Sequence, residues 1–426
     1  MRRGFSLAAA ASIIFLVVSQ PGCGGYNGSS NSTTPTSGLD ERAFVSVQTT
    51  GTGTILIVDA KKDQLTASSI TPVGAATFSS PLPQFMVPGP NTTTLEFNLS
   101  DNNINILDNI KETQVAKIGT IDCTATAATC QIQLSGPTES MVESSDAKFI
   151  YASVQSNSQV QVVDLTGSAI KITNIPDVPG NCQTKNNCLP GARRIVLSHN
   201  NSKLLVFNED LNQFEVVNTA DLSVQTVSGA GLDHPIFGVF SADDSKAFIL
   251  NCGAECGGTQ ASVAAVDMSS LSVGTPVPVD AATIGISDTN NLYVAGSNPA
   301  LPGAGSLTVL PLSSLAAGKA IKIGDGFHQV ISVFQNKVIV GARTCSTGCL
   351  SIVDAGAGTA IVDQPQKGDV TSISGITPRK VFYTAEGGEL RIYDATTGQE
   401  ELTNNTPMID VVGKVTSVLY VGPKTQ

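Results

Sequence analysis

FIYASVQSNSQVQVVD (149–164) reads as a β-hairpin: an apolar run rich in β-branched and aromatic residues, a polar turn, and an alternating run that ends on an aspartate. The second run recurs as ILIVD (55–59), INILD (104–108), FEVVN (214–218), VAAVD (263–267), LTVLP (307–311), LSIVD (350–354) and LRIYD (390–394). That makes eight copies, about 40 to 56 residues apart. Each is preceded by a partner run, such as AFVSV (43–47), LEFNL (95–99), KLLVF (203–207), LYVAG (292–296) or KVFYTA (380–385). A period of this length built only of strands signifies propeller blades.

The remaining runs complete the count. Looser segments such as QVAKIG (114–119), AIKIT (169–173) and VQTVS (224–228) follow the third strands and serve as outer fourth strands. Inner first strands precede the hairpins, among them RRIVLS (193–198), IFGVFS (236–241), TIGIS (283–287), QVISV (329–333) and VTSIS (370–374). VTSVLYV (415–421) is left over and is expected to complete blade one, so that the chain ends close the ring. The expected fold is all-β, an eight-bladed β-propeller with four antiparallel strands per blade. The alternative is seven blades, with the least typical hairpin, Leu95 to Asp108, as an insertion.

With LYVAGS (292–297), FIYASVQSNSQVQVVD (149–164) and LEFNLSDNNINILD (95–108) as its closest copies, the repeat resembles the YVTN repeats of bacterial surface β-propellers, and the likeness covers nearly all of residues 42–426. The resemblance implies a lipid-anchored or secreted binding protein. It is specific for fold and weak for function, because the motif consists of strand and turn residues. Pro311 departs from it, standing where the other repeats place Asp or Asn.

The N-terminus has Arg2 and Arg3, an uncharged run from Leu7 to Val18, and Gln20-Pro21-Gly22-Cys23. This is a signal-peptide layout over residues 1–22, its apolar run too short to span a bilayer. Cys23, followed by Gly24 and Gly25, resembles the lipobox cysteine that becomes acylated, although Gln20 and Pro21 stand where that motif usually carries Leu and a small residue. Residues 23–41 are expected to be a lipidated cysteine and flexible tether, and residues 42–426 one propeller domain.

Setting Cys23 aside leaves four local pairs: Cys123 with Cys130, Cys182 with Cys188, Cys252 with Cys256, and Cys345 with Cys349. In an exported chain such pairs read as disulfides. Zinc is the alternative, disfavoured by irregular spacing, the lack of neighbouring histidines and an oxidising compartment. A net charge of −11, with no cationic cluster beyond Arg193-Arg194, argues against nucleic acid.

In a propeller, the turns between strands two and three and the blade-crossing loops open on one face, here termed the loop face. The strand one-to-two and three-to-four turns form the opposite turn face. Sequence position puts all four cysteine pairs on the loop face. The starts of the inner strands, at the channel mouth, bring Glu139, Arg193, His234, His328 and Asp369 to the same face as ligand-binding candidates, with Lys414 also near a strand start. Glu139 and Arg193 occupy equivalent places in successive blades and should pair, whereas His199 falls on the turn face.

The sequence lacks the usual catalytic signatures. It has no tryptophan, on which quinoprotein and sialidase-type propellers depend, and three histidines on two faces cannot form a three-histidine zinc site. No C-x-x-C-H, G-x-S-x-G, Walker loop or HExxH stands out. The expected function is a non-catalytic, extracytoplasmic binding or scaffold lipoprotein without cofactor. It would be monomeric, attached to the membrane only by its lipid, and would engage a protein or polysaccharide at the cell surface or in the periplasm. The alternative is a lactonase-type hydrolase using His, Arg and Glu residues at the channel mouth.

Overall fold

The computed structural model describes residues 35–422 apart from 50–51, 71–82, 100, 124–129, 131, 176–191, 209, 301–302, 317, 403–405 and 407. It is all-β, with eight blades of four antiparallel strands. The Leu95 to Asp108 hairpin forms strands two and three of its own blade, Thr93–Asn98 and Asn103–Asp108, so it is not an insertion in a seven-bladed ring. In blade one, Arg42–Thr49, Thr52–Asp59 and Gln64–Ile70 are joined on the inner side by the C-terminal strand Lys414–Tyr420, with Ala43 opposite Tyr420.

The repeated aspartate has a local cause. Asp59, Asp108, Asp267, Asp354 and Asp394 each turn Oδ1 back onto backbone N–H groups two or three residues ahead, capping the strand three-to-four turn. The turn closes when the residue four on donates its N–H to the carbonyl of the first, as Glu112 does to Asp108 and Leu271 to Asp267. That fourth residue sits at positive φ in seven of the eight turns, from Asp63 and Glu112 to Gly358 and Gly398; the exception is Ser168 of blade three, where Asp164 caps Thr166 N instead. Pro311 has no capping oxygen, yet Leu315 donates to its carbonyl at 2.8 Å and the turn persists. At Pro311 the backbone bond therefore holds the turn without the aspartate, which elsewhere reinforces it.

Successive blades pack face to face through aliphatic and phenyl side chains. Leu205, Phe207, Phe214 and Val216 of blade four, for example, bury against Phe240, Ala247 and Ile249 of blade five. Each such side chain is worth roughly 1.5–3 kcal/mol when buried, so blade docking proceeds without tryptophan. Around the channel, hydroxyls join the inner strands. Ser372 Oγ donates to Val418 O (3.0 Å) and accepts from Val418 N (3.1 Å), Ser374 Oγ accepts from Tyr420 N (2.8 Å), and Ser417 Oγ accepts from Met86 N (3.2 Å). Ser140 serves Ile195 in the same way. These serines satisfy backbone groups that a free strand edge would leave open.

Three expectations need correction. QVAKIG is not one outer strand: Thr113–Gln114 and Ile132–Gln133 pair separately with Asn103–Asp108, and residues 116–123 between them make an excursion from the blade edge. Its small hairpin pairs Lys117 with Asp122, and Thr120 at its tip donates to Gly167 O in a turn-face turn of blade three. The Cys123–Cys130 disulfide staples this excursion and so does not belong to the loop face. The reason is packing: Ile118, Ile121 and both cysteines bury beside Ala147 and Leu165 of blade three. Finally, folded structure begins before Arg42. Thr36 N donates to Ile110 O (3.0 Å), and Ser37 gives its N–H and its hydroxyl to the two oxygens of Glu112 (both 2.7 Å). Glu112 in turn pairs with the fully buried Arg42 at 2.9 Å.

Candidate functional site

Two loops of the loop face are built alike. In blade five, Cys252–Cys256 bridges the turn between Lys246–Asn251 and Ser262–Asp267. In blade seven, Cys345–Cys349 bridges the turn between Lys337–Arg343 and Leu350–Asp354. Each loop is also gripped by an aspartate from just before its own inner strand. Asp233 Oδ2 accepts from Thr259 N, Thr259 Oγ1 and Gln260 N at 2.6–2.8 Å. Asp325 accepts from the backbone N–H and the hydroxyl of both Ser346 and Thr347. Burial pulls the Asp325 carboxyl upward, but these donors outweigh it and hold the group at about 2. The Asp233 carboxyl is lowered further by the same balance. Both clamps therefore stay ionised at any physiological pH.

Of the four expected disulfides, three join described residues: Cys123 to Cys130, Cys252 to Cys256, and Cys345 to Cys349. Cys182 and Cys188 both lie outside the described residues, so the bridge expected between Cys182 and Cys188, and its place on the loop face, form no part of the site described. Among the described residues the loop face thus has two stapled loops, those of blades five and seven, and of the expected four only Cys123–Cys130 is placed elsewhere.

These two loops are linked through blade six. Glu255, inside the Cys252–Cys256 turn, accepts from Ser297 N at 2.8 Å, and Ser297 Oγ donates to Gly326 O, next to Asp325. A continuous hydrogen-bonded rim thus runs over blades five to seven.

At the channel mouth the inner strands of blades one, two, five, seven and eight each carry a register shift near their start, which re-aims the first side chains. Arg193 Nε meets Glu139 Oε2 at 2.8 Å, the expected pair between adjacent blades. Its neighbour Arg194, which sequence reasoning passed over, reaches farther. Its Nη1 donates to Thr283 O of blade six at 2.6 Å, and its guanidinium lies 5.4 Å from the Phe327 ring centre of blade seven. Sequence carries no signal for this contact beyond an arginine in an otherwise apolar inner strand.

His234 is held at φ +56° between Asp233 and Pro235, a backbone region that non-glycine residues rarely occupy. Its N–H donates to Asn212 Oδ1 (2.9 Å) and its Nδ1 lies 3.0 Å from Asp233 Oδ1. Gly258 sits directly against this pair, where a Cβ would fall 1.9 Å from Asp233 Oδ1. His328 differs from its expected role: the residue is 1% exposed, and Nε2 bonds Gly324 O at 3.0 Å. Burial pushes its pKa down to about 4, so it is a neutral prop for the blade-seven loop and cannot touch a ligand at the mouth. Asp369 is likewise engaged, accepting from Thr344 N at 2.8 Å. Lys414 is exposed on the loop face, and His199 is on the turn face, bonded to Asp244.

Cys345, Cys349 and Asp369 bring two sulfurs and a carboxylate within 4.8 Å of one another, spacing that suits a metal. The sulfurs are bonded to each other, however, and a disulfide offers no thiolate ligand. The three disulfides among the described residues mark an extracytoplasmic protein. Among those residues, no helix is long and apolar enough to cross a membrane.

No protein-family model matches the chain, and no curated protein does. Solved structures do. The dihydro-heme d1 dehydrogenase NirN in complex with DHE superposes with a TM-score of 0.62 at 13% identity, over 91% of this chain and 79% of that one. The hydrazine synthase of Kuenenia stuttgartiensis superposes with a TM-score of 0.52 at 14% identity, over 74% of this chain and 96% of that one. At such identities the likeness is one of fold, and this fold hosts many unrelated functions.

Proposed function

We propose that this is an extracytoplasmic propeller lipoprotein of the YVTN-like surface type, acylated at Cys23, which binds a protein or polysaccharide partner through its loop face without catalysing a reaction. The observation that carries this reading is the double fixing of the loops of blades five and seven, each by a disulfide and by an ionised aspartate. Loops ordered before binding lose little conformational entropy on contact, so such a rim is suited to recognition.

The lactonase-type alternative draws less support. Of its residues, Arg193 is paired with Glu139 and His234 with Asp233, while His328 is buried. Both readings are tested together by titrating envelope polysaccharides and proteins against the purified protein, and against a chain whose loops 252–261 and 344–349 are replaced by two-residue turns. Partner binding should be lost with the loops and survive Arg193→Ala and His234→Ala. Lactone hydrolysis abolished by either point substitution would overturn the proposal in favour of the enzyme.

A further inference from the structure

The chain enters the propeller on the turn face. Thr36 and Ser37 are bonded to Ile110, Lys111 and Glu112 in the strand three-to-four turn of blade two, whereas the stapled loops of blades five and seven stand on the opposite face. From Cys23 to Pro35 there are twelve Cα steps, a reach of at most about 40 Å. A lipid on Cys23 therefore holds the turn face close to the bilayer, and inversion of the ring would need that length to be spent going round its rim.

A second feature of the same face is independent of the chain entry. Ten of the sixteen lysines lie in the strand one-to-two and three-to-four turns or on the residues bordering them, with at least one from every blade. Beside the chain entry they project past their acidic neighbours. The Lys62 side chain is 65% exposed against 10% for Asp59, and that of Lys111 is 37% exposed against 4% for Asp108. Asp63 and Glu112 are buried as well, held by Tyr383 and by Ser37 and Arg42. Around blades one and two the ammonium groups of Lys61, Lys62 and Lys111 thus stand outward of the buried turn carboxylates, with Asp40 exposed and Glu41 half-buried beside the chain entry, a local excess of outward cations that suits anionic headgroups.

We infer that the turn face is the membrane-apposed surface of this protein, with Lys61, Lys62 and Lys111 against anionic lipid headgroups, and that the loop face is directed away from the membrane toward its partner. The inference rests on the lipid-anchor reading above. It also assigns the two faces different partners: lipid on one, protein or polysaccharide on the other.

The test uses the acylated full chain, reconstituted on vesicles of phosphatidylglycerol and phosphatidylethanolamine, with the Cys23→Ser chain, which cannot be acylated, as the free reference. A membrane-impermeant amine acylating reagent is applied, and its incorporation is read lysine by lysine by mass spectrometry. Modification of Lys61, Lys62 and Lys111 should fall several-fold on the vesicles, while that of Lys414 on the loop face stays unchanged. Flotation with the vesicles but equal labelling of both faces, or protection of Lys414 instead, overturns the orientation and leaves the anchor standing. Failure of the native chain to float overturns the anchor, and the orientation with it.

Discussion

The Arg194 guanidinium of blade four lies over the Phe327 ring of blade seven, 5.4 Å from its centre, and bonds Thr283 O of blade six on the way. One side chain thus ties three blades together across the channel mouth. Cation–π contacts of this kind are worth about 0.5–2 kcal/mol. Arg194→Met, which keeps the stem and loses the charge, should lower stability by about 1–2 kcal/mol. A double-mutant cycle with Phe327→Leu, read by chemical denaturation, should return a coupling of at least about 0.5 kcal/mol. Additive losses would mean that the stacking does not hold the mouth.

Asp325 clamps the Cys345–Cys349 loop through four donors, so the loop has two restraints. Asp325→Ala should leave global unfolding little changed while amide exchange at Ser346 and Thr347 speeds at least about tenfold, because those N–H groups lose their acceptor. Unchanged exchange would assign the rigidity to the disulfide alone.

His328 gives a pH dependence with a definite sign. Its folded pKa, about 4, lies below the ordinary histidine value, so between roughly pH 6.5 and 4 the unfolded chain binds a proton that the folded chain refuses. Stability contributed by this site is whole above pH 6.5, declines as pH falls through that window, and levels off below about 4. The loss should approach about 3 kcal/mol relative to His328→Gln, with denaturation followed at several pH values. A wild-type curve parallel to that of the variant would refute it.

Glu96 works in the opposite direction. It is fully buried in blade two, accepts from Asn105 at 2.6 Å, and leaves Oε1 without a partner among the described residues. Burial raises its pKa to about 8, so the folded chain keeps a proton that the unfolded chain releases above roughly pH 4.5. Its contribution is whole below that value and is lost as pH rises to about 8. Glu96→Gln should therefore be the more stable protein at about pH 9, by an amount of order 4 kcal/mol, and indistinguishable from wild type at about pH 4. Equal melting of the two under the alkaline condition would show that the carboxylate is accommodated.

Much was legible in the chain itself. The eight hairpins, their order and the repeated aspartate follow from local chemistry, alternation for strands and side-chain capping for turns, and these act over a few residues. The Glu139–Arg193 pair was legible for the same reason, since equivalent positions in successive blades are neighbours. What failed depended on contacts far apart in sequence. The split outer strand of blade two and its stapled excursion are set by packing against blade three; Arg194 reaches Thr283 and Phe327 in blades six and seven; and His328, polar and at a strand start, is buried by a loop that its own ring supports. The docking of Ser37 on Glu112, 75 residues apart, belongs to the same class. Repetition encodes the blade because a blade is local. The ring brings together side chains that no periodicity relates, and only tertiary structure decides which of them are exposed, clamped or buried.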